Sequence, residues 1–260
     1  MTEKEILISC VFDKKISADK NSMITFTSFL SVDEKSDIIH LEKNNSANVR
    51  TYYYGGYENS ERSVAVFVPS FYDNYESVDK LFEEYDIENP VTLIRVKKDR
   101  FSALSHRDYL GALMGMGLKR DVIGDILPIE DGCYIFCLSS IAEYIVKNLT
   151  SVGRGTIECT ISDTFSISEY KEIYTENFLS VASLRLDNVV SAAFNISRSE
   201  AAEKINSGIV YVNSVRILKN NFQINLNDKI VVRGKGKTVL SEINGQSKKG
   251  RIHITVKKYK

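Results

Sequence analysis

The chain has 260 residues, 34 Lys/Arg against 34 Asp/Glu, 43% hydrophobic and 26% charged residues. At about 100–200 residues per domain this length allows two domains or three small ones, and the near-average composition excludes collagen-like, coiled-coil and wholly disordered designs. Three prolines and no uncharged apolar run of about 18 residues leave neither a Pro-rich linker nor a spanning helix.

The opening MTEKEILISC carries charges where a signal peptide needs an apolar stretch, so a cytoplasmic location and no membrane partner are expected. Cys10, Cys133, Cys137 and Cys159 are too few and scattered for a disulfide framework and read as reduced thiols. In GCYIFCL the CxxxC spacing puts two small hydrophobes on one face of a buried strand. The zero net charge conceals an asymmetry. Residues 181–260 hold 15 Lys/Arg against 5 Asp/Glu, a balance of +10, and the remaining 19 against 29 give −10 for residues 1–180. The basic end is suited to a polyanion.

The expected fold class is α+β with three parts. Residues 1–88 form an N-terminal α/β domain, with helical periodicity through the first 45 residues and then the strands VRTYYYGGY and SVAVFVP around an ENSER turn. Tyr52, Tyr53, Tyr54 and Tyr57 offer a base-stacking platform, but without adjacent cations they read as a strand of high β-propensity. Residues 89–165 run strand VTLIRVKK, helix HRDYLGALMGMG, strands GDILPI and CYIFCL, helix SIAEYIVKNL and strand GTIECTIS. This β-α-β-β-α-β order is the split βαβ of ferredoxin-like and RRM-like domains. The aromatic pattern of common RNA-recognition motifs is missing, so sheet-face stacking is not inferred. Ser140 and Glu143 have capping-box spacing, and Asp131-Gly132 suits a tight hairpin. SEYKEIYTENFLS is expected to connect this domain to the last.

Residues 181–260 read as helix RLDNVVSAAF, turn NIS, helix RSEAAEKINSG, strand IVYVN, an irregular stretch to Asn227-Asp228, strand KIVVRGKGK and two C-terminal strands. Leu184, Leu186, Val189, Val190 and Phe194 face Ala201, Ala202 and Ile205 across an αα-hairpin. Ser197 and Glu200 form an S-x-x-E box that places Arg198 in a first helical turn, where the dipole disfavours a cation unless an anion is bound. Arg185 begins the preceding helix, with Asp187 as a cap or internal partner. Lys204, six residues past Arg198, lies about 240° around the helix and need not share its patch. Arg233-Gly234-Lys235-Gly236-Lys237 alternates cations with glycines at a strand end, which at strand spacing puts three cations on one side near a sugar-phosphate chain. It lacks the ending of a nucleotide-binding P-loop. Lys248, Lys249, Arg251, Lys257, Lys258 and Lys260 add diffuse attraction.

SLRLDNVVSAAFNISRSEAAEKINSGIVYVN resembles the S4 RNA-binding domain, and FSALSHRDYLGALMGMGLKRDVIGDIL resembles the signature of the bacterial YlmH family, whose members join a front domain, an RRM-like domain and this module. The resemblance implies a non-catalytic, ribosome-associated quality-control factor that binds large-subunit ribosomal RNA and tRNA on the ribosomal particle, with peptidyl-tRNA, after stalling. It implies no cofactor and no small-molecule substrate. By resemblance the RNA surface is Arg185, Asn188, Ser197, Arg198 and Lys204, extended by Arg233, Lys235 and Lys237, with Arg107, Lys119 and Arg120 as a possible second RNA contact. His106-Arg107-Asp108 is not a kinase loop, since its companion motifs are absent, and Gly111, Gly115 and Gly117 read as close-packing positions. The alternative is an RNA-modifying enzyme of the pseudouridine synthase type, which uses an R-L-D segment around a catalytic Asp. Here that segment falls inside the S4 helix and no large catalytic domain follows. His40, His106 and His253 sit in different units, without metal or triad spacing.

Overall fold

A computed structural model describes residues 2–42, 48–58, 60–72, 75, 77–163, 165 and 174–259. The chain divides into two compact units, Met1–Glu34 with Leu41–Lys171, and Lys35–His40 with Glu172–Lys260.

The first elements are α1 (Glu3–Asn21), β1 (Thr25–Phe26), α2 (Val32–Glu42), β2 (Val49–Tyr54), β3 (Val64–Pro69) and α3 (Val78–Glu84), of which Lys35–His40 in α2 belong to the second unit and the rest to the first. The periodicity expected to run unbroken through residue 45 is interrupted by β1, because the β-branched Thr25 pairs with Phe67 on β3. These strands form an antiparallel sheet of order β1-β3-β2, with α1 packed against it. The tyrosines of β2, and Tyr57 just after it, are packing residues. Tyr52 donates to the Tyr75 carbonyl, Tyr53 to Glu42, Tyr54 to Asp79 and Tyr57 to Asp125. Part of the ENSER turn, Asn59, lies outside the described residues.

The chain continues through β4 (Val91–Lys98), α4 (His106–Gly115), β5 (Ile123–Ile129), β6 (Gly132–Leu138), α5 (Ser139–Asn148), β7 (Ser151–Val152) and β8 (Gly155–Ser162). The sheet order β5-β6-β4-β8-β7 puts the first long strand between the third and the fourth, all antiparallel. That is the split βαβ arrangement expected from the element order. The β5–β6 hairpin closes with Ile129 opposite Gly132. A Cβ at Gly132, φ +157°, would lie 1.8 Å from the Val96 carbonyl oxygen, so only glycine fits.

Both faces of this sheet are buried. Ile94, Val96, Cys133, Ile135 and Cys137 face α4 and α5, together with Tyr109, Leu113 and Ile145. Val91, Leu93, Tyr134 and Phe136 face the other way, against Phe29, Val64, Val66 and Val68. Strands buried on two sides need continuous rather than alternating hydrophobicity, which is why GCYIFCL has no polar position. Burial pushes the Cys137 thiol up to about 12 and that of Cys159 up to about 11, leaving both as inert thiols.

Three local expectations need correction. α5 starts one residue early, at Ser139, whose hydroxyl donates to the Asn89 carbonyl, while Glu143 pairs with Lys147; the Ser140–Glu143 box does not form. In α4 it is Asp108 that reaches back, accepting from the Ser105 N–H and hydroxyl, and these bonds hold its carboxyl below the usual range. Gly111, Gly115 and Gly117 pack against nothing, since a Cβ at each would meet open space. Gly117 is needed only for its φ of +80° after the helix.

The second unit contains β9 (Tyr174–Val181), α6 (Leu186–Phe194), α7 (Arg198–Asn206), β10 (Val210–Val212), β11 (Val215–Arg216), β12 (Lys229–Val232), β13 (Gly236–Gln246) and β14 (Ile252–Tyr259). They build an antiparallel sheet of order β11-β10-β12-β13-β14-β9. The segment read as a connector is therefore a strand over Tyr174–Val181, paired with β14 from Tyr259 to Ile252; its earlier residues up to 173 lie outside the described residues, as does Lys260. The stretch read as irregular contains β11, joined to β10 by Asn213-Ser214 at φ +50° and +66°, the left-handed pair of a type I′ hairpin. Val181, Leu186, Val189, Val190, Ala201, Ile205, Val232, Leu240, Ile254 and Val256 fill one core between the two helices and one face of the sheet. Ala202 is not part of it.

Candidate RNA-binding surface

The cationic residues of the second unit are organised by two carboxylates. Asp187, in the first turn of α6, is 5% exposed. Its carboxylate accepts from Arg185 through Nε and a terminal nitrogen, both at 3.1 Å, and from Arg198 at 3.0 Å. Burial alone would raise the Asp187 carboxyl, but hydrogen bonds and charge from Arg185 and Arg198 outweigh it and hold the group below the usual carboxylate range. The R-L-D aspartate is thus the internal partner expected of it. A buried aspartate committed to two guanidiniums has the bonding of a scaffold rather than of a nucleophile.

This arrangement brings together residues from the starts of two helices. Arg185 caps α6 and Arg198 opens α7. Each guanidinium has five N–H donors, of which Asp187 takes two from Arg185 and one from Arg198, so donors remain on two partly exposed side chains. The N–H groups of Leu186 and Asp187 are bonded to the carbonyls of Phe222 and Asn220, so the start of α6 offers its arginine rather than its backbone. At α7, the Ser197 hydroxyl accepts from the Glu200 N–H, which is half of the expected box. The other half is diverted, because the Glu200 carboxylate lies 3.6 Å from Lys204 and 3.7 Å from Lys235.

Glu200 therefore gathers Lys204 and the β12–β13 hairpin onto α7. Arg233, Gly234 and Lys235 form the turn of that hairpin, with Val232 paired to Gly236. The expected strand alternation does not apply, because Gly234 at φ +78° and Gly236 at φ +109° bend the backbone at this point. Lys235 points to Glu200, whereas Lys237 lies in β13 with its Nζ 4.3 Å from the Tyr259 ring centre. Asn188 is buried at 7% exposure and donates to the Ser183 hydroxyl at 2.6 Å, so it braces the loop before α6.

In the first unit Arg107 and Lys119 are exposed. Arg120 is half-buried and donates to the Ile123 and Gly124 carbonyls at 2.5 and 3.0 Å. Burial, with Arg62 beside it, pushes its guanidinium down to about 10. Arg120 belongs to a buried polar hub that sequence reading missed. Asp125 accepts from the Tyr57 hydroxyl and the Glu61 and Arg62 N–H groups, and Arg62 donates to the Ile123, Phe29 and Arg120 carbonyls. Its partners lie 33 to 68 positions apart, beyond any local pattern. Among the described residues no three His, Cys, Asp or Glu side chains gather as a metal ion would require, and no helix is long and apolar enough to cross a membrane.

Comparison with known proteins matches residues 83–165 to the family described as "Putative RNA-binding domain in YlmH" and residues 184–230 to the S4 domain. The chain is 29% identical over 237 residues to the ribosome-associated protein quality control protein P2 of Bacillus subtilis (strain 168), covering 90% of this chain and 87% of that one. It is 35% identical over 86 residues to the small ribosomal subunit protein uS4 of Vesicomyosocius okutanii, covering 31% of this chain and 41% of the relative. Among solved structures, the cell division protein ylmH from Streptococcus pneumoniae superposes with a TM-score of 0.49 at 14% identity, covering 62% of this chain and 92% of that one.

Proposed function

We propose, for a chain of the YlmH type that joins an RRM-like RNA-binding domain to an S4 domain, that it is a ribosome-associated, non-catalytic RNA-binding protein of the cytoplasm. The observation that carries this reading is the Asp187 clamp, which holds two guanidiniums at the openings of α6 and α7. Arginines fixed before binding lose little side-chain freedom when they meet a phosphate, and their planar donors match its oxygens. Arg198 has the further advantage that the α7 dipole adds to its attraction for an anion. Arg233, Lys235 and Lys237 widen the surface, Lys204 supports it through Glu200, and Ser197 and Asn188 set the local backbone. Arg107 and Lys119 make a second contact, with Arg120 bracing the turn behind them. In the finer reading, the partner is large-subunit ribosomal RNA with peptidyl-tRNA after stalling. It rests on the family resemblance and on the relative named for ribosome-associated quality control.

The experiment is co-sedimentation with ribosomal particles over a range of salt. With about four to six phosphates contacted, log affinity falls with log salt at a slope of roughly −4 to −5. Replacing Arg198, Arg233 and Lys235 together with Ala makes the slope shallower by about three, near one per lost phosphate contact. Equal co-sedimentation of the two proteins at every salt concentration overturns the assigned surface. New modified nucleosides in RNA incubated with the protein, dependent on Asp187, would overturn the non-catalytic reading.

A further inference from the structure

The face of the second unit's sheet that turns away from α6 and α7 carries a pattern outside both matched family domains. Side chains alternate between faces along a strand. Leu179 and Val181 of β9, Ile254 and Val256 of β14 and Leu240 of β13 point into the core. Tyr174, Glu176 and Phe178 of β9, Lys257 and Tyr259 of β14, and Lys237 and Val239 of β13 therefore share the opposite face. Register aligns them in rows, with Tyr259 opposite Tyr174, Lys257 opposite both Glu176 and Val239, and Thr255 opposite Phe178. The Tyr174 and Tyr259 ring centres are 5.8 Å apart. Lys237 lies 4.3 Å from the Tyr259 ring centre and Lys257 4.7 Å from that of Tyr174. Phe178 is 77% exposed, with no aromatic partner among the described residues.

We propose that this face, built by Tyr174, Phe178, Lys237, Lys257 and Tyr259, is a further RNA contact that stacks unpaired bases, distinct from the helix-start surface that holds structured RNA. Bases stack on aromatic side chains whatever their identity, and lysines beside the rings follow the sugar-phosphate chain. Two features favour a single strand over an acidic peptide. The rings alternate with cations as bases alternate with phosphates, and the exposed Phe178 ring gives a base a face to stack on while offering a carboxylate no cation. Two acidic side chains stand in these rows, Glu176 opposite Lys257 and Glu242, which pairs with Thr255 and accepts from its hydroxyl at 2.9 Å. The charge balance of +10 over residues 181–260 supplies the long-range attraction. A duplex would present no base faces to the rings, so the two surfaces divide the RNA by form.

The test uses the full chain, a short fluorescein-labelled oligouridylate and a ribosomal RNA hairpin, read by anisotropy. Replacing Tyr174 and Phe178 with Ala weakens oligouridylate binding roughly 10- to 100-fold and leaves hairpin affinity within about twofold. Phe178→Tyr retains binding, whereas Phe178→Leu, apolar without a ring, behaves like Phe178→Ala. The variant lacking Arg198, Arg233 and Lys235 shows the reverse preference. Failure of that variant to weaken the hairpin would count against the helix-start surface alone and leave this one standing. Unchanged oligouridylate binding in the Tyr174/Phe178 variant, or no binding by the unaltered chain, overturns the proposal. So does equal loss of both RNAs with the circular dichroism spectrum intact. A concentration-dependent dimer abolished by Phe178→Ala, with oligouridylate binding unaffected, would assign the face to a second copy instead.

Discussion

Phe136 and Phe178 both stand on antiparallel strands, yet the first is 1% exposed and the second 77%. Phe136 lies on the face of the RRM-like sheet where RNA-recognition domains ordinarily stack bases, and here that face is covered. Tyr57 stacks on it at 4.9 Å between ring centres and Phe165 meets it edge-on at 5.4 Å, while Phe29, Val64, Val66 and Val68 close the layer. Phe178 lies on a sheet whose α6 and α7 pack on the other side. An RRM-like topology thus does not bring an RRM-like binding face with it, because the small N-terminal sheet has converted the platform into core. The second unit keeps a sheet face exposed and lines it with cations and rings.

The contrast breaks most sharply by cutting the same side chain in both places. Phe136→Ala removes a fully buried ring and costs about 3–5 kcal/mol in urea unfolding, with little change in RNA affinity of the protein that remains folded. A cost below about 1 kcal/mol would show that the covering layer is loosely seated. Asp187→Ala comes next, because it leaves two guanidiniums without their shared partner. Since these are partly exposed, the cost is about 1–2 kcal/mol rather than that of a fully buried pair, with ribosome binding reduced about tenfold by loss of preorganisation.

The same pair sets an acid limit. The Asp187 carboxyl lies below its usual value in the folded protein, so its stabilisation is complete above the unfolded value of about 3.9 and is lost as pH falls through the lower folded value. Unfolding measured across that range should show a smaller loss in Asp187→Ala than in the unaltered protein, the remainder belonging to other lowered carboxyls such as Asp108. The smallest effect belongs to Phe178→Ala, which changes stability by less than about 0.5 kcal/mol. A larger loss would mean that Phe178 is packed against something in solution, sharpening the contrast in the other direction.

Much of this organisation was legible along the chain. The hydrophobic run of β6 announced a strand buried on both sides, the order of strands and helices announced the split βαβ, and Ser197 before Arg198 announced the start of α7. These signals are local, carried by residues within a turn or two of one another. The failures were local rules overruled by partners elsewhere. Glu200 left its box for Lys204 and Lys235, Glu143 took Lys147, and Tyr174–Val181, polar enough to resemble a linker, gained its order only from pairing with β14.

The sequence by itself determined most of the elements and the position of the cationic end, because periodicity, capping and charge act over short spans. Only the tertiary structure decided which residues act together. Arg185 with Arg198 through Asp187, the hairpin with α7 through Glu200, and Tyr174 with Tyr259 across two strands are contacts between distant positions. Burial and strand register, rather than composition, determined that one aromatic sheet face is sealed and the other left open to a ligand.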